Sequence, residues 1–218
     1  MALTISLTSI PPRFGGLGPA LECLLAQGWD RVVLALPRTY RRFPGPVTPP
    51  PLPAGVTLLW ATRDYGPATK LLTVAKDAAT GDMILYCDDD CLYAPGWARA
   101  LQDVHTPGTV TCASSFPLSR LKRRGGRIAQ GFGGDLVQAG ALDEAAFKVP
   151  DAAFRVDDLW LSATYERQGF DVRDCPSARA CVTPLRAPAP LQDTQRAADM
   201  SAAARHIHQV FGIWPPAR

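Results

Sequence analysis

Five short apolar runs, residues 3–10, 31–36, 56–61, 83–87 and 109–114, mark the first half of this chain, and the stretches between them carry apolar residues at helical spacing. Each run has strand length and is rich in β-branched or aliphatic residues. The segment 15–27 places Leu17, Leu21, Leu24 and Leu25 on one helical face, 68–79 reads as a second helix, and 95–104 opens on Pro95, which suits a first helical turn. Strand and helix therefore alternate. That order selects an α/β layer with a mostly parallel sheet, because parallel neighbours need a crossover connection. The 218 residues suffice for one well-buried core with at most a small appendage.

The second half is less regular. Residues 119–127 form a basic loop containing Arg120, Lys122, Arg123, Arg124 and Arg127, and a glycine patch follows at 130–134. Residues 157–168 read as an amphipathic helix with Leu159, Trp160, Ala163 and Tyr165, and 193–211 as a terminal helix. Prolines concentrate in two stretches: Pro44 to Pro53, an extended surface loop, and Pro184, Pro188 and Pro190. No internal repeat is present.

The net charge of +3 is too small to argue for nucleic acid or a membrane surface. The first residues carry no basic segment and no long apolar core, so no signal peptide is expected, and no run nears the roughly 18 residues of a membrane span. The 6 cysteines lack metal-site spacing and read as small core residues of a reduced, cytoplasmic protein. Cys175 and Cys181 flank a short loop and are the pair that an oxidising compartment would join.

Ligands of parallel α/β sheets bind beyond the carboxyl ends of the strands. Thr8-Ser9, Asp64-Tyr65 and Asp88-Asp89-Asp90 all fall at such ends. The triplet is costly: close like charges repel by about 1 kcal/mol per pair in water and by more where water is scarce. A divalent cation offsets this. Mg²⁺ is usually held by one or two carboxylates together with substrate phosphates, so the triplet points to a phosphate-bearing substrate.

Four segments in order carry a resemblance: Asp64-Tyr65-Gly66-Pro67-Ala68-Thr69-Lys70, then Tyr86-Cys87-Asp88-Asp89-Asp90, then Gly131-Phe132-Gly133-Gly134, then Val156-Asp157-Asp158-Leu159-Trp160. With the opening Ile5 to Arg13, they resemble bacterial nucleotide-sugar glycosyltransferases of the GT-A fold, in the family-2-like and exostosin-like branches, over residues 3–170. The resemblance implies a Rossmann-like three-layer sandwich forming a single domain over 1–218, with a nucleotide-binding half at 1–115 and an acceptor half with a C-terminal helix at 116–218. It implies transfer of a hexosyl or N-acetylhexosaminyl group from a nucleotide-diphosphate sugar, with uridine as the expected base, to a glycan or lipid-linked acceptor in polysaccharide biosynthesis. Asp88 to Asp90 match the family's Asp-x-Asp motif, with Asp90 and Asp88 the ligands of Mn²⁺ or Mg²⁺ and Asp89 beside the donor. Lys70, at a helix start, is expected to reach the donor phosphates; the bland alternative is a surface lysine. Thr8, Ser9, Arg13 and Asp64 are expected around base, ribose and phosphate, with ordinary strand-end or loop roles as the alternative. Gly133 and Gly134 precede a strand lining the donor sugar. Asp158 matches the second acid of the family's pair and is expected to be the general base, or to stabilise an oxocarbenium-like transition state if configuration is retained. His206 and His208 are candidates for a late metal ligand, and being two apart they cannot both face inward on a helix. The basic loop at 119–127 is read either as solvated or as a clasp for an anion.

Three other classes compete. Nucleotidyl transfer to a sugar phosphate shares metal, nucleotide and sheet, but a glycine-rich loop with a basic residue usually follows its first strand; here Pro11-Pro12-Arg13 stand there and Gly15-Gly16 come late. A non-catalytic nucleotide- or glycan-binding domain would lack the metal or base carboxylates. A phosphatase with a nucleophilic aspartate would carry it after the first strand, not the fourth. So short a chain also leaves little room for an acceptor module, which points to a partner subunit or a membrane-bound scaffold.

Overall fold

The computed structural model describes residues 2–189 and 193–217. Met1, residues 190–192 and Arg218 lie outside the described residues, so the second proline stretch is described only as far as residue 189. The strands are β1 (Leu3–Thr8), β2 (Arg31–Pro37), β3 (Val56–Ala61), β4 (Met83–Cys87), β5 (Cys91–Tyr93), β6 (Thr109–Cys112), β7 (Ser115–Pro117), β8 (Arg127–Ala129), β9 (Asp135–Gln138), β10 (Asp171–Asp174) and β11 (Val182–Pro184). The helices are α1 (Gly18–Leu25), α2 (Thr69–Ala75), α3 (Trp97–Val104), α4 (Asp157–Arg167), α5 (Pro176–Ala180) and α6 (Arg196–Phe211).

A seven-stranded sheet in the order β10-β6-β9-β4-β1-β2-β3 forms the middle layer. All its pairings are parallel except those of β9, which runs antiparallel to both β4 and β6. This is the expected Rossmann-like α/β fold. Every residue of β4 is buried, and the period of two divides them between the faces. Ile84 and Tyr86 join one core with Leu71 and Leu72 of α2, Leu159 and Leu161 of α4, and Ile207 of α6. Met83, Leu85 and Cys87 join the other, with Leu21 and Leu24 of α1 and Trp97 and Leu101 of α3. Helices thus cover both faces, as a mostly parallel sheet requires.

The five strands expected from the apolar runs are all present. Strand β9 was expected only as the strand that the glycine patch precedes, and its place between β4 and β6 was not foreseen. It has four residues and begins on a buried aspartate, too short and too polar at its start for a periodic signal. It comes from the second half of the chain yet lies between β4 and β6, and β10 joins the same sheet. The central sheet therefore draws on both expected halves.

The glycine patch meets this sheet through Trp97. The Trp97 indole N–H donates to the Gly133 carbonyl at 2.8 Å. Gly134 has φ of 97°, and a Cβ there would lie 2.1 Å from Trp97 Cζ2. The patch brings backbone against a core indole, and only glycine permits both the φ and the approach. Gly134→Ala is expected to lower stability by about 2–4 kcal/mol through overpacking and strain, read as a reduced urea midpoint with unchanged slope.

Candidate active site

The carboxyl ends of β1, β2 and β4 open into a cleft of about 780 Å³. Thr8, Ser9, Arg13, Asp64, Asp88, Asp89, Asp90 and Asp158 all line it. The structure thus brings together eight expected site residues from distant parts of the chain. Lys70, Gly133 and Gly134 lie behind the lining.

The three aspartates at the end of β4 have separate partners. Asp89 is inside: Ser9 Oγ donates to its Oδ2 at 2.5 Å, and Arg13 Nη1 lies 2.5 Å from its Oδ1. Burial raises the Asp89 pKa, and Arg13 and Ser9 oppose that rise. Arg13 also reaches Asp90 Oδ2 at 3.1 Å and donates through Nε to the Pro188 carbonyl at 2.9 Å. Asp88 accepts from Lys70 Nζ at 2.8 Å. The outer two side chains stay about one-third exposed, 32% for Asp88 and 30% for Asp90, against 5% for Asp89. Burial, then Asp88, pushes the Asp90 carboxyl up to about 6, so this group gains from an arriving cation.

No group of three or more His, Cys, Asp or Glu side chains is arranged to hold a metal among the described residues. The donor set is instead two cleft-facing carboxylates, Asp88 and Asp90. That set fits Mg²⁺ or Mn²⁺ completing its shell with substrate oxygens and water, and does not fit an all-protein cage.

Lys70 is 1% exposed and lies between two acids. Its Nζ is 2.8 Å from Asp88 Oδ1 and 2.9 Å from Asp157 Oδ2. Burial works to lower its pKa, but Asp157 and Asp88 overcome this and hold it well above the ordinary value. The expected reach toward donor phosphates becomes an internal tie: Lys70 fixes Asp88 from behind, joining the end of β4 to the start of α4.

Asp158 faces the cleft one residue beyond that tie, with 13% of its side chain exposed. Its Oδ1 accepts the Gly131 N–H at 3.2 Å, and Arg196 Nη2 stands 3.8 Å from its Oδ2. Burial, then the adjacent Asp157 charge, raises its pKa to about 7, against the pull of Lys70. A carboxyl poised there can take or give a proton at neutral pH.

Asp64 binds backbone. Its oxygens accept the N–H groups of Gly66 and Arg41, each at 2.8 Å, which ties the β2 and β3 loops at the cleft rim. Thr8 Oγ1 donates to the Ala35 carbonyl at 2.7 Å. His206 and His208 lie outside the lining, and His208 Nδ1 is 2.8 Å from the Ile213 carbonyl. The basic loop is also outside: Arg123 bonds the Trp214 carbonyl and Arg127 pairs with Asp174. Sequence reasoning did not place Tyr40, whose hydroxyl donates to the Ser9 carbonyl at 2.7 Å, or five further arginines of the lining, Arg42, Arg155, Arg179, Arg186 and Arg196. Those arginines come from separate segments, and no local pattern links them.

No protein-family model matches the chain, and no curated protein matches it. Among solved structures, it is similar to 2-C-methyl-D-erythritol 4-phosphate cytidylyltransferase from Francisella tularensis, at 12% identity and TM-score 0.45, over 89% of this chain and 98% of that one. The enzyme of the same description from Thermus thermophilus matches at 19% identity and TM-score 0.47, over 94% and 98%. These similarities concern the fold. The expectation of a hexosyl- or N-acetylhexosaminyl-transferase is nevertheless corrected: both solved structures are cytidylyltransferases, and neither supports a nucleotide-sugar donor or a glycan acceptor.

Two outcomes follow from this geometry. Lys70→Met leaves Asp88 and Asp157 without their shared cation and is expected to cost about 3–5 kcal/mol in chemical denaturation. Asp158 holds its proton to about pH 7 when folded and to only about pH 4 when unfolded. The folded state therefore binds more protons between those values, and this group's contribution to stability is lost as pH rises through that window. Asp158→Asn is expected to flatten the loss, seen by comparing denaturant midpoints at pH 5 and pH 8.

Proposed function

We propose that this chain is a metal-dependent, nucleotidyltransferase-like enzyme that binds a nucleoside triphosphate in the cleft and transfers its nucleotidyl group to an acceptor hydroxyl. The observation that carries the reading is the division of acids across one cleft: Asp88 and Asp90 face it from the end of β4, and Asp158, titrating near neutrality, faces it from α4. Arg13 supports it. The basic residue that a nucleotidyl-transfer site needs after its first strand is present there and enters the cleft, although no glycine-rich loop carries it.

Asp88 and Asp90 would hold the Mg²⁺ or Mn²⁺, which supplies Lewis-acid neutralisation of the polyphosphate. Asp89 keeps Arg13 beside it, with Nε on the Pro188 carbonyl and Nη1 on the two aspartates, and Nη2 is the donor it would offer a phosphate oxygen. Thr8, Ser9 and Tyr40 form the rim for ribose and base, with the Phe43 ring beside them. Asp158 accepts the proton of the acceptor hydroxyl. The acceptor oxygen then forms its bond to the α-phosphorus, the bond from that phosphorus to the bridging oxygen breaks, and the electron pair leaves with pyrophosphate. Lys70 holds Asp88 and Asp157 in place and keeps the second acid pair from repelling the first. Both halves of the chain supply site residues, so residues 1–218 act as one catalytic unit in this reading.

Calorimetry with nucleoside triphosphates is expected to show binding that Mg²⁺ or Mn²⁺ strengthens at least tenfold and that Asp90→Ala reduces to the metal-free level. Asp158→Asn is expected to keep the binding and lose pyrophosphate release, supplied with small-metabolite extract as acceptor, by about 100-fold or more. Equal nucleotide affinity with metal and with chelator would overturn the reading.

A further inference from the structure

Basic side chains concentrate at one place outside the cleft. Strands β7 and β8 form an antiparallel hairpin, and residues 118–127, its loop and the first residue of β8, carry Arg120, Lys122, Arg123, Arg124 and Arg127 with no acid among them. Arg120, Lys122 and Arg124 are exposed. Two carboxylates reach this segment among the described residues: Asp174 pairs with Arg127, and Glu166 accepts the N–H groups of Gly126 and the Trp214 indole. Among the described residues no carboxylate forms an ion pair with Arg120, Lys122, Arg123 or Arg124. The whole-chain charge of +3 hides this excess, because residues 118–127 carry +5 and the rest of the chain is therefore net acidic at −2.

The loop is pinned. Leu118 is fully buried at its start, and the Arg123 N–H returns to the Leu118 carbonyl at 3.3 Å. The C-terminal segment clasps it from the other side: the Arg124 N–H donates to the Pro215 carbonyl and the Ala217 N–H to the Lys122 carbonyl, each at 2.9 Å. Trp214, 1% exposed, fills the space beneath, where a Cβ on Gly125 would lie 2.8 Å from its Cδ1. A fixed backbone cannot spread its like charges apart, so their repulsion persists until anions arrive. The opposite sign of the remaining chain then orients it, with the loop toward an anionic surface and the rest away. We propose that residues 118–127 dock this chain on a bilayer rich in anionic phospholipid, with Arg120, Lys122 and Arg124 on the headgroup phosphates. Nucleic acid fits less well. Residues 118–127 contain no aromatic ring, and the nearby rings of Phe116 and Trp214 are buried, so nothing is offered to a base for stacking; no α-helix carries these cations into a groove. Strand β8 leads from the loop to Gln130 on the cleft lining across three residues, about 10 Å, so docking keeps the cleft near the surface. The proposal does not depend on the reaction assigned to that cleft.

The test is co-sedimentation of the full chain with vesicles at about 0.1 M salt, where the Debye length is about 10 Å. Phosphatidylcholine vesicles containing about one-third phosphatidylglycerol are expected to carry the chain down, and phosphatidylcholine alone is not. Salt at about 1 M, which shortens screening to about 3 Å, is expected to release it. Removing three loop charges together, Arg120→Gln with Lys122→Gln and Arg124→Gln, is expected to weaken partitioning about 100-fold, and each single change about fivefold. Arg31→Gln with Lys76→Gln and Lys148→Gln removes the same charge from exposed positions elsewhere and is expected to leave binding within about threefold. Unchanged urea midpoints are expected for all variants, which separates lost binding from lost fold. The inference is overturned if the anionic vesicles do not bind the chain, if the loop variants bind them as the wild type does, or if the distant variant loses as much as the loop variant. Tighter, loop-dependent binding to a single-stranded or duplex oligonucleotide than to the vesicles overturns it in favour of nucleic acid.

Discussion

The Lys70 ammonium, buried between Asp88 and Asp157, is the interaction on which the site depends. It joins the start of α2, the carboxyl end of β4 and the first turn of α4. A buried charge is tolerated only when paired and hydrogen-bonded, and here one cation serves two carboxylates. Its surroundings leave no slack. A Cβ on Gly131 would come within 3.1 Å of Lys70 Nζ and Tyr86 Cε2, and the Gly131 N–H is the donor that orients Asp158. The glycine, the lysine and both acids of α4 are thus placed by one packing problem.

The other carboxylates fall into order around that tie. Asp89 is a clamp for Arg13 and Ser9. Asp88 and Asp90 turn toward the cleft. Asp135, at the start of β9, is fully buried with neither oxygen bonded, and its pKa is raised well above the ordinary value by burial.

Much of the fold was legible because its signals are local. The five apolar runs and the helices between them needed only side-chain periodicity, and the end of β4 announced itself by three acids after five apolar residues. Thr8, Ser9, Arg13 and Asp64 could be placed at the cleft rim because they stand at or beyond strand ends. Strand β9 was expected only through the glycine patch before it, because four residues beginning with Asp135 show no period of their own. Lys70 was placed at the right helix start, but its partners were not legible: its sequence neighbours do not reveal that Asp157, 87 positions later, pairs with it. The cleft arginines were missed for the same reason. Each is one charged residue in an ordinary loop or helix end, and only their convergence gives them meaning.

The sequence by itself determined the α/β class, the order of the elements in the first half and the acids available for chemistry, because strand and helix periods and adjacent like charges are written along the chain. The division of labour among those acids was decided by the tertiary structure. Which aspartate binds Arg13, which binds Lys70, and which stays near neutrality depends on burial and on partners as far as 87 residues away. Desolvation and ion pairing act through space, and their balance exists only once β4, α2 and α4 have met.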